Sequence, residues 1–156
     1  MTTGMLHLHS TLRYLIVFVA IWAIFKAMSG MNGKKAFTKA DQKPGLLYLI
    51  GMDLQLVIGL VLYFMGNWGY KIISNGGMAE VVGDGKVVNR FFVMEHPIGM
   101  ILALILVHLG YAATKKTSNT DQQKFKKSFW MYLISFILII AFVPWPFREL
   151  GRAWMP

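Results

Sequence analysis

The fold is decided by the stretch LHLHSTLRYLIVFVAIWAIFKAM, residues 6–28. A helix needs about 20 mostly apolar residues to cross the hydrocarbon core of a membrane, and this stretch reaches that length. Three further apolar runs have the same character, and they cover residues 46–66, 91–113 and 128–146. The fourth run reaches the required length once the aromatic residues at its two ends are counted as interfacial anchors. We therefore predict an all-α integral membrane protein with four transmembrane helices.

The composition agrees with this prediction. The chain has 156 residues, 56% of them hydrophobic, and its length suits a single transmembrane domain over residues 1–156. It has no cysteine, which excludes disulfides, thiolate metal sites and cysteine nucleophiles. The connections between the apolar runs are short, so neighbouring helices should be antiparallel and form an up-down bundle.

The lysines predict the orientation of the bundle. The connection between the first two helices and the connection between the last two carry most of them: Lys34, Lys35, Lys39, Lys43, Lys115, Lys116, Lys124, Lys126 and Lys127. Positively charged loops stay in the cytoplasm. Both termini should therefore be periplasmic in a multi-pass protein of the bacterial inner membrane. The net charge of +9 is then a topology signal rather than a nucleic-acid patch.

The middle connection, residues 67–89, is rich in glycine and has two short β-prone runs, YKII (70–73) and EVVGDGKVV (80–88). Their spacing predicts a β-hairpin with Asp84 and Gly85 in its turn.

Helical periodicity separates the two histidines of the first helix. His9 lies on a face rich in small residues, and the face continues with Arg13, Ile16, Ala20, Ala23 and Ala27. Small residues favour close helix contacts in lipid, so His9 should point into the bundle. His7 begins a bulkier face and should point to headgroups or solvent. In the second helix, Gln55 and Gly59 are typical of a helix contact.

His96 begins a similar small-residue face in the third helix, which continues with Gly99, Ala103 and Gly110. The first and third helices run in the same direction and should lie diagonally across the bundle, so His9 and His96 should be at similar depth. Two imidazoles facing each other across a four-helix core suit the axial positions of one haem b. The glycine and alanine residues beside them would leave room for the ring.

Three charged residues could complete such a site. Arg13 lies one turn below His9 and could bind a haem propionate through two hydrogen bonds. Arg148 could bind the other propionate. Glu95 could orient a histidine by accepting its second ring proton, or it could pair with Arg13. The alternative is a structural network of these residues without a cofactor.

His108 and Asp53 should lie at similar depth nearer the lysine-rich loops, where they could form a buried pair. A functional role for them would be a proton relay or the edge of a second cofactor.

Several motifs resemble a family of small four-helix membrane proteins of Bacteroidetes-type bacteria labelled "cytochrome b"-like. They are LHLHSTLRYL (6–15), LQLVIGLVLYF (54–64), MEHP (94–97) and VPWPFR (143–148). The resemblance implies haem, with His9 and His96 as ligands and Arg148 as a surface partner. Members of that family can carry histidine where this chain has Asp53, and this difference weakens any claim of a second haem. A more distant similarity is to four-helix haem-dependent protoporphyrinogen oxidases.

The leading functional hypothesis is a membrane haem b protein that moves single electrons at the outer face of the inner membrane. Its partners would be the lipid bilayer, quinol, or the subunits of a respiratory complex. The alternatives are a cofactor-free accessory or scaffold subunit and a haem-dependent porphyrinogen oxidase.

Overall fold

The computed structural model describes residues 2–148 and 150, and this part of the chain is all-helical. In chain order its elements are α1 (Thr2–Met28), α2 (Lys39–Met65), α3 (Tyr70–Gly76), α4 (Ala79–Val82), α5 (Val87–Arg90), a π-helical turn (Phe91–Glu95), α6 (His96–Lys115) and α7 (Asp121–Phe142). Four helical segments are long and apolar enough to cross a membrane. The predicted fold class is confirmed.

The four long helices form a square bundle. The packed neighbours are α1 with α2, α2 with α6, α6 with α7, and α7 with α1. This leaves α1 and α6 on one diagonal and α2 and α7 on the other, as expected for an up-down arrangement. The end of the bundle that holds His9 and His96 is called the histidine end below, and the opposite end the lysine end.

The face predicted to point inward does so. In α1, Ala20 is fully buried and Ile16 and Ala23 are nearly so, whereas Phe18 and Phe25 on other faces are more than half exposed. Exposed phenylalanines are expected on a surface that acyl chains cover. The small residues therefore set the close contacts of the bundle.

A hydrogen-bonded chain of side chains crosses the middle of the bundle. Ser135 on α7 donates from its Oγ to the carbonyl oxygen of Ala103 on α6 at 2.9 Å. Tyr48 on α2 then donates its hydroxyl to Ser135 Oγ, also at 2.9 Å. Tyr132 lies beside Tyr48, with ring centroids 5.8 Å apart. Three helices are joined in this way where no water competes for the hydrogen bonds.

Three helices begin earlier than predicted. Helix α1 begins at Thr2 rather than 6, and α2 and α7 begin earlier because of their N-terminal caps. Helix α2 begins at Lys39 rather than 46, since Thr38 and Asp41 form a capping box at its start. The Asp41 side chain is buried, accepts from Thr38 Oγ1 at 2.7 Å and pairs with the ammonium of Lys35. Helix α7 begins at Asp121 rather than 128, with Thr120 as its cap.

Helix α7 also ends earlier than predicted, at Phe142 rather than 146. A residue before proline is driven out of the helical region, and Pro144 follows Val143. The chain then turns back over the histidine end. There Trp145 is buried and its Nε1 donates to the carbonyl oxygen of Ile140 at 2.8 Å.

The predicted hairpin in the middle connection is wrong, because that segment forms α3, α4 and α5 instead. Gly77 and Gly85 adopt positive φ and separate the short helices. Val81 is fully buried, and Asn89 donates from Nδ2 to the carbonyl oxygen of Glu80 at 2.9 Å. Tertiary contacts of this kind outweigh the β propensity of the valines.

Candidate functional site

The bundle brings His9 and His96 together at the histidine end. Their ring centroids are 6.3 Å apart and their planes make an angle of 72°. Metal–imidazole bonds are about 2.0–2.1 Å long, so two imidazoles on opposite sides of one metal ion have ring centres roughly 6 Å apart. The separation of the two rings is therefore compatible with both being ligands of a single metal.

The orientation of the His96 ring is fixed by the end of α7. Its Nδ1 lies 2.7 Å from the carbonyl oxygen of Phe142, which can only accept, so Nδ1 carries the proton. The lone pair is then on Nε2. Metal-binding histidines are usually held in this way by a hydrogen bond from their other ring nitrogen. The ring of Phe91 packs beside that of His96, with centroids 6.0 Å apart.

A local break in helix geometry positions His96. Pro97 has no backbone N–H and cannot bond to the carbonyl oxygen of Val93. The chain forms its π-helical turn immediately before His96. The Val93 carbonyl instead accepts a long hydrogen bond of 3.4 Å from the hydroxyl of Tyr63 on α2. Turns of this type are frequent at functional sites.

His9 is held by α2. Gln55 donates from Nε2 to the carbonyl oxygen of His9 at 2.8 Å. A Cβ added to Gly59 would be only 3.3 Å from Cε1 of His9, so glycine allows the imidazole to lie close to α2. Both residues mark a helix contact, as expected from the sequence, and that contact supports His9.

Arg13 lies inside the bundle with 8% of its surface exposed. Its Nη2 donates to the hydroxyl of Tyr14 at 2.8 Å, and its guanidinium lies 5.3 Å from the ring centre of Trp145. A buried cation therefore lies one helical turn from His9 on the same helix.

The other two charged candidates contact protein groups close to them. Glu95 accepts from Nε of Arg90 at 2.7 Å, so its ion pair is with this neighbour rather than with His96 or Arg13. Arg148 donates to the carbonyl oxygen of Ala141, and its guanidinium lies 5.3 Å from the ring centre of Phe91.

The small residues do not leave open space around the histidines. A Cβ on Gly99 would collide with the side chain of Phe142, which already fills that position. Ala20 and Ala103 are fully buried in the core. Binding of a macrocycle would therefore require Phe142 to move, although the two imidazoles already have a suitable spacing.

His108 and Asp53 form the predicted pair, with Nε2 and Oδ1 2.9 Å apart. The prediction that they are buried is wrong, because 49% of the His108 side chain and 44% of the Asp53 side chain are exposed at the bundle surface. His7 is exposed, as expected. Among the described residues no group of three or more histidine and acidic side chains is placed to bind a metal ion.

Sequence reasoning missed three supports of the site: the Phe142 carbonyl, the Trp145 ring and the Tyr63 hydroxyl. Pro97, directly after His96, was the one available signal of an altered helix. The carbonyl and the tryptophan depend on how the chain folds back after α7, and no local pattern reports that.

No protein-family model matches the chain, and no match was found among curated proteins or solved structures. The resemblance to the "cytochrome b"-like family therefore remains an expectation that rests on the motifs alone.

Proposed function

We propose that the chain is a membrane haem b protein that moves single electrons. The observation that carries the proposal is the facing pair His9 and His96, on diagonal helices, with ring centroids 6.3 Å apart. Two protein ligands are few for a bare metal ion, whereas haem iron takes four of its ligands from the macrocycle. A bis-histidine pair without further protein ligands is thus better suited to haem than to a bare ion.

Each candidate residue would have a separate role in holding the haem. His9 and His96 would hold the haem iron through their ring nitrogens, and the Phe142 carbonyl holds the His96 ring with Nε2 available. Arg13 supplies a buried positive charge for a propionate carboxylate. The haem itself would supply the reversible one-electron chemistry, while the protein determines its burial and electrostatics.

We place the histidine end at the periplasmic face of the bacterial inner membrane. The proposal rests on the lysines of the two connections at the opposite end, which the positive-inside bias assigns to the cytoplasm. Electron exchange with another subunit of a respiratory complex would then occur on the outer side, whereas a quinol dissolved in the bilayer could also approach the bundle laterally.

The test is a reduced-minus-oxidised spectrum of protein purified from cells supplied with haem. Wild type should show the sharp α and β bands of a low-spin haem b. His9→Ala and His96→Ala should each lose these bands or become high spin. His7→Ala and His108→Ala are matched controls and should keep them. A colourless wild type, with haem available during synthesis, would contradict the proposal.

The second candidate is a cofactor-free accessory subunit of a membrane complex. The side chain of Phe142 over Gly99 favours it, because the space expected for a ring is filled by protein. Under this alternative His9, Arg13 and His96 form a structural network. His9→Ala would then lower the thermal stability of the protein by the same amount whether the cells that produce it are supplied with haem or not. Under the haem proposal, haem raises the stability of wild type but not of His9→Ala.

A further inference from the structure

The pair Asp53 and His108, called the dyad here, lies on the outer surface of the bundle where α2 meets α6. Twelve residues separate His108 from His96, a distance of about 18 Å along a helix. The flanking side chains Leu54, Val57 and Leu109 are each at least half exposed and apolar, as a surface in contact with acyl chains requires. The dyad is therefore polar, ionisable and open to the hydrocarbon layer.

Placing ionisable side chains in contact with acyl chains costs free energy. Ionisable residues within membrane segments almost always face the bundle interior or a cavity, and they mark functional sites by default. The hydrogen bond between the two residues occupies Nε2 of His108 and Oδ1 of Asp53. Within the described part of the chain no further hydrogen bond is made by His108 Nδ1 or Asp53 Oδ2. One acceptor oxygen and one ring nitrogen are thus available to a molecule that approaches from the lipid.

The surroundings restrict what that molecule can be. A water-soluble ligand cannot approach through acyl chains, so the ligand must itself dissolve in the bilayer. A carboxylate oxygen supported by an imidazole is a strong acceptor for a hydroxyl group. The exposed apolar side chains around the dyad could pack against the hydrophobic part of such a molecule. A hydroquinone combines a lipid-soluble ring with hydroxyl groups.

We infer that the dyad is the lateral binding site for the hydroxyl group of a lipid-dissolved hydroquinone, with Asp53 accepting its hydrogen bond and His108 orienting the carboxylate. This inference deepens the proposed function and rests on it, because a quinol would serve this chain as an electron donor only if a haem is present. The binding itself involves neither His9 nor His96.

The test is nuclear magnetic resonance of protein labelled at histidine Cε1 in lipid nanodiscs, titrated with a hydroquinone that carries a decyl tail. The chain has only four histidines, so each resonance can be assigned by single substitution. The His108 resonance should shift saturably, and the His7 resonance should not move. Asp53→Asn should weaken the apparent affinity about tenfold or more, as expected for the loss of a hydrogen bond to a charged group. Asp84→Asn removes a carboxylate elsewhere and should leave the affinity unchanged.

The dimethyl ether of the same hydroquinone is the matched ligand, since it keeps the ring and tail but has no hydroxyl hydrogen. It should fail to shift His108 in wild type, a comparison that needs no variant to fold. Equal shifts from both ligands, or no shift from either, would overturn the inference.

If Asp53→Asn instead converts a dimer to a monomer while hydroquinone leaves His108 unmoved, the dyad joins two copies of the chain and the inference is wrong. The haem spectrum of the same sample distinguishes failure of the proposed function from failure of the quinol site. Absent haem bands refute the proposed function. Normal haem bands with an unmoved His108 resonance refute only the quinol site.

Discussion

Two buried tyrosines offer a paired test of the packing described above, because the same substitution should have opposite effects on them. Tyr48 is fully buried and Tyr132 is 3% exposed. The Tyr48 hydroxyl donates to Ser135 at 2.9 Å. The Tyr132 hydroxyl is buried and has no hydrogen-bond partner among the described residues. We expect Tyr48→Phe to destabilise the bundle and Tyr132→Phe to stabilise it.

The expected change in the free energy of unfolding depends on whether the hydroxyl that is removed makes a hydrogen bond. Interhelical hydrogen bonds in membranes contribute about 0.6 kcal/mol on average and up to about 1.7 kcal/mol, so Tyr48→Phe should cost about 1 kcal/mol. A buried hydroxyl without a partner costs about 1–3 kcal/mol, so its removal in Tyr132→Phe should add about 1 kcal/mol to the free energy of unfolding. The two variants should therefore differ by roughly 2 kcal/mol although they remove the same atom.

Gly45 packs against the Tyr132 hydroxyl and provides a second test of the same contact. A Cβ at this position would overlap the Tyr132 hydroxyl and lie 2.9 Å from Cζ. Gly45→Ala should therefore cost about 1–3 kcal/mol in wild type through overpacking. In the Tyr132→Phe background the cost should be smaller, because the colliding oxygen is gone and alanine favours the helix.

The assay is unfolding by sodium dodecyl sulfate in mixed micelles, followed by tryptophan fluorescence. Equal loss of stability in Tyr48→Phe and Tyr132→Phe would refute the reasoning, since it would mean that both hydroxyls are satisfied. A cost of Gly45→Ala that is the same in both backgrounds would refute the proposed contact.

The remaining predictions concern topology and two acidic residues. Reporter fusions at Gly33 and Asn119 should both give cytoplasmic signals, and periplasmic signals at both would invert the orientation. Asp53→Ala should lower thermal stability, because His108 then faces lipid without its partner, and it should leave the haem bands unchanged; loss of the bands would place the cofactor nearer that pair. Asp41→Ala should lower the free energy of unfolding by about 1–2 kcal/mol through loss of the α2 cap, whereas Asp121→Ala, at a more exposed carboxylate, should cost less.

The sequence was sufficient for the parts of the fold that depend on hydropathy and helical period. Four apolar runs predicted four long helices, and the 4-3-4 spacing from His9 to Ala27 predicted the inward face of α1. The diagonal placement of α1 and α6 followed from loop lengths, and it brought His9 and His96 to one end. Each of these inferences needs only the geometry of a helix and the thickness of a membrane.

The rest depended on contacts between distant segments. The valines around Asp84 favour strands locally, but burial of Val81 and the glycine turns produce short helices instead. Glu95 was expected to contact a histidine or Arg13, yet its carboxylate pairs with the nearby Arg90. The caps at Thr38 and Thr120 are a different kind of miss, since a threonine followed three residues later by Asp or Gln was visible in the sequence.

The support of His96 by the Phe142 carbonyl also has a consequence for biosynthesis. His9 leaves the ribosome with α1, and Gln55 can hold it once α2 has entered the membrane, but the carbonyl that fixes His96 arrives only with the end of α7. Until α7 docks, the space beside Gly99 is open, because the side chain that fills it has not yet been placed. Under the haem proposal, the macrocycle would enter most readily in that interval, so the rate of translation and the supply of haem during membrane insertion would govern how much of the protein carries it.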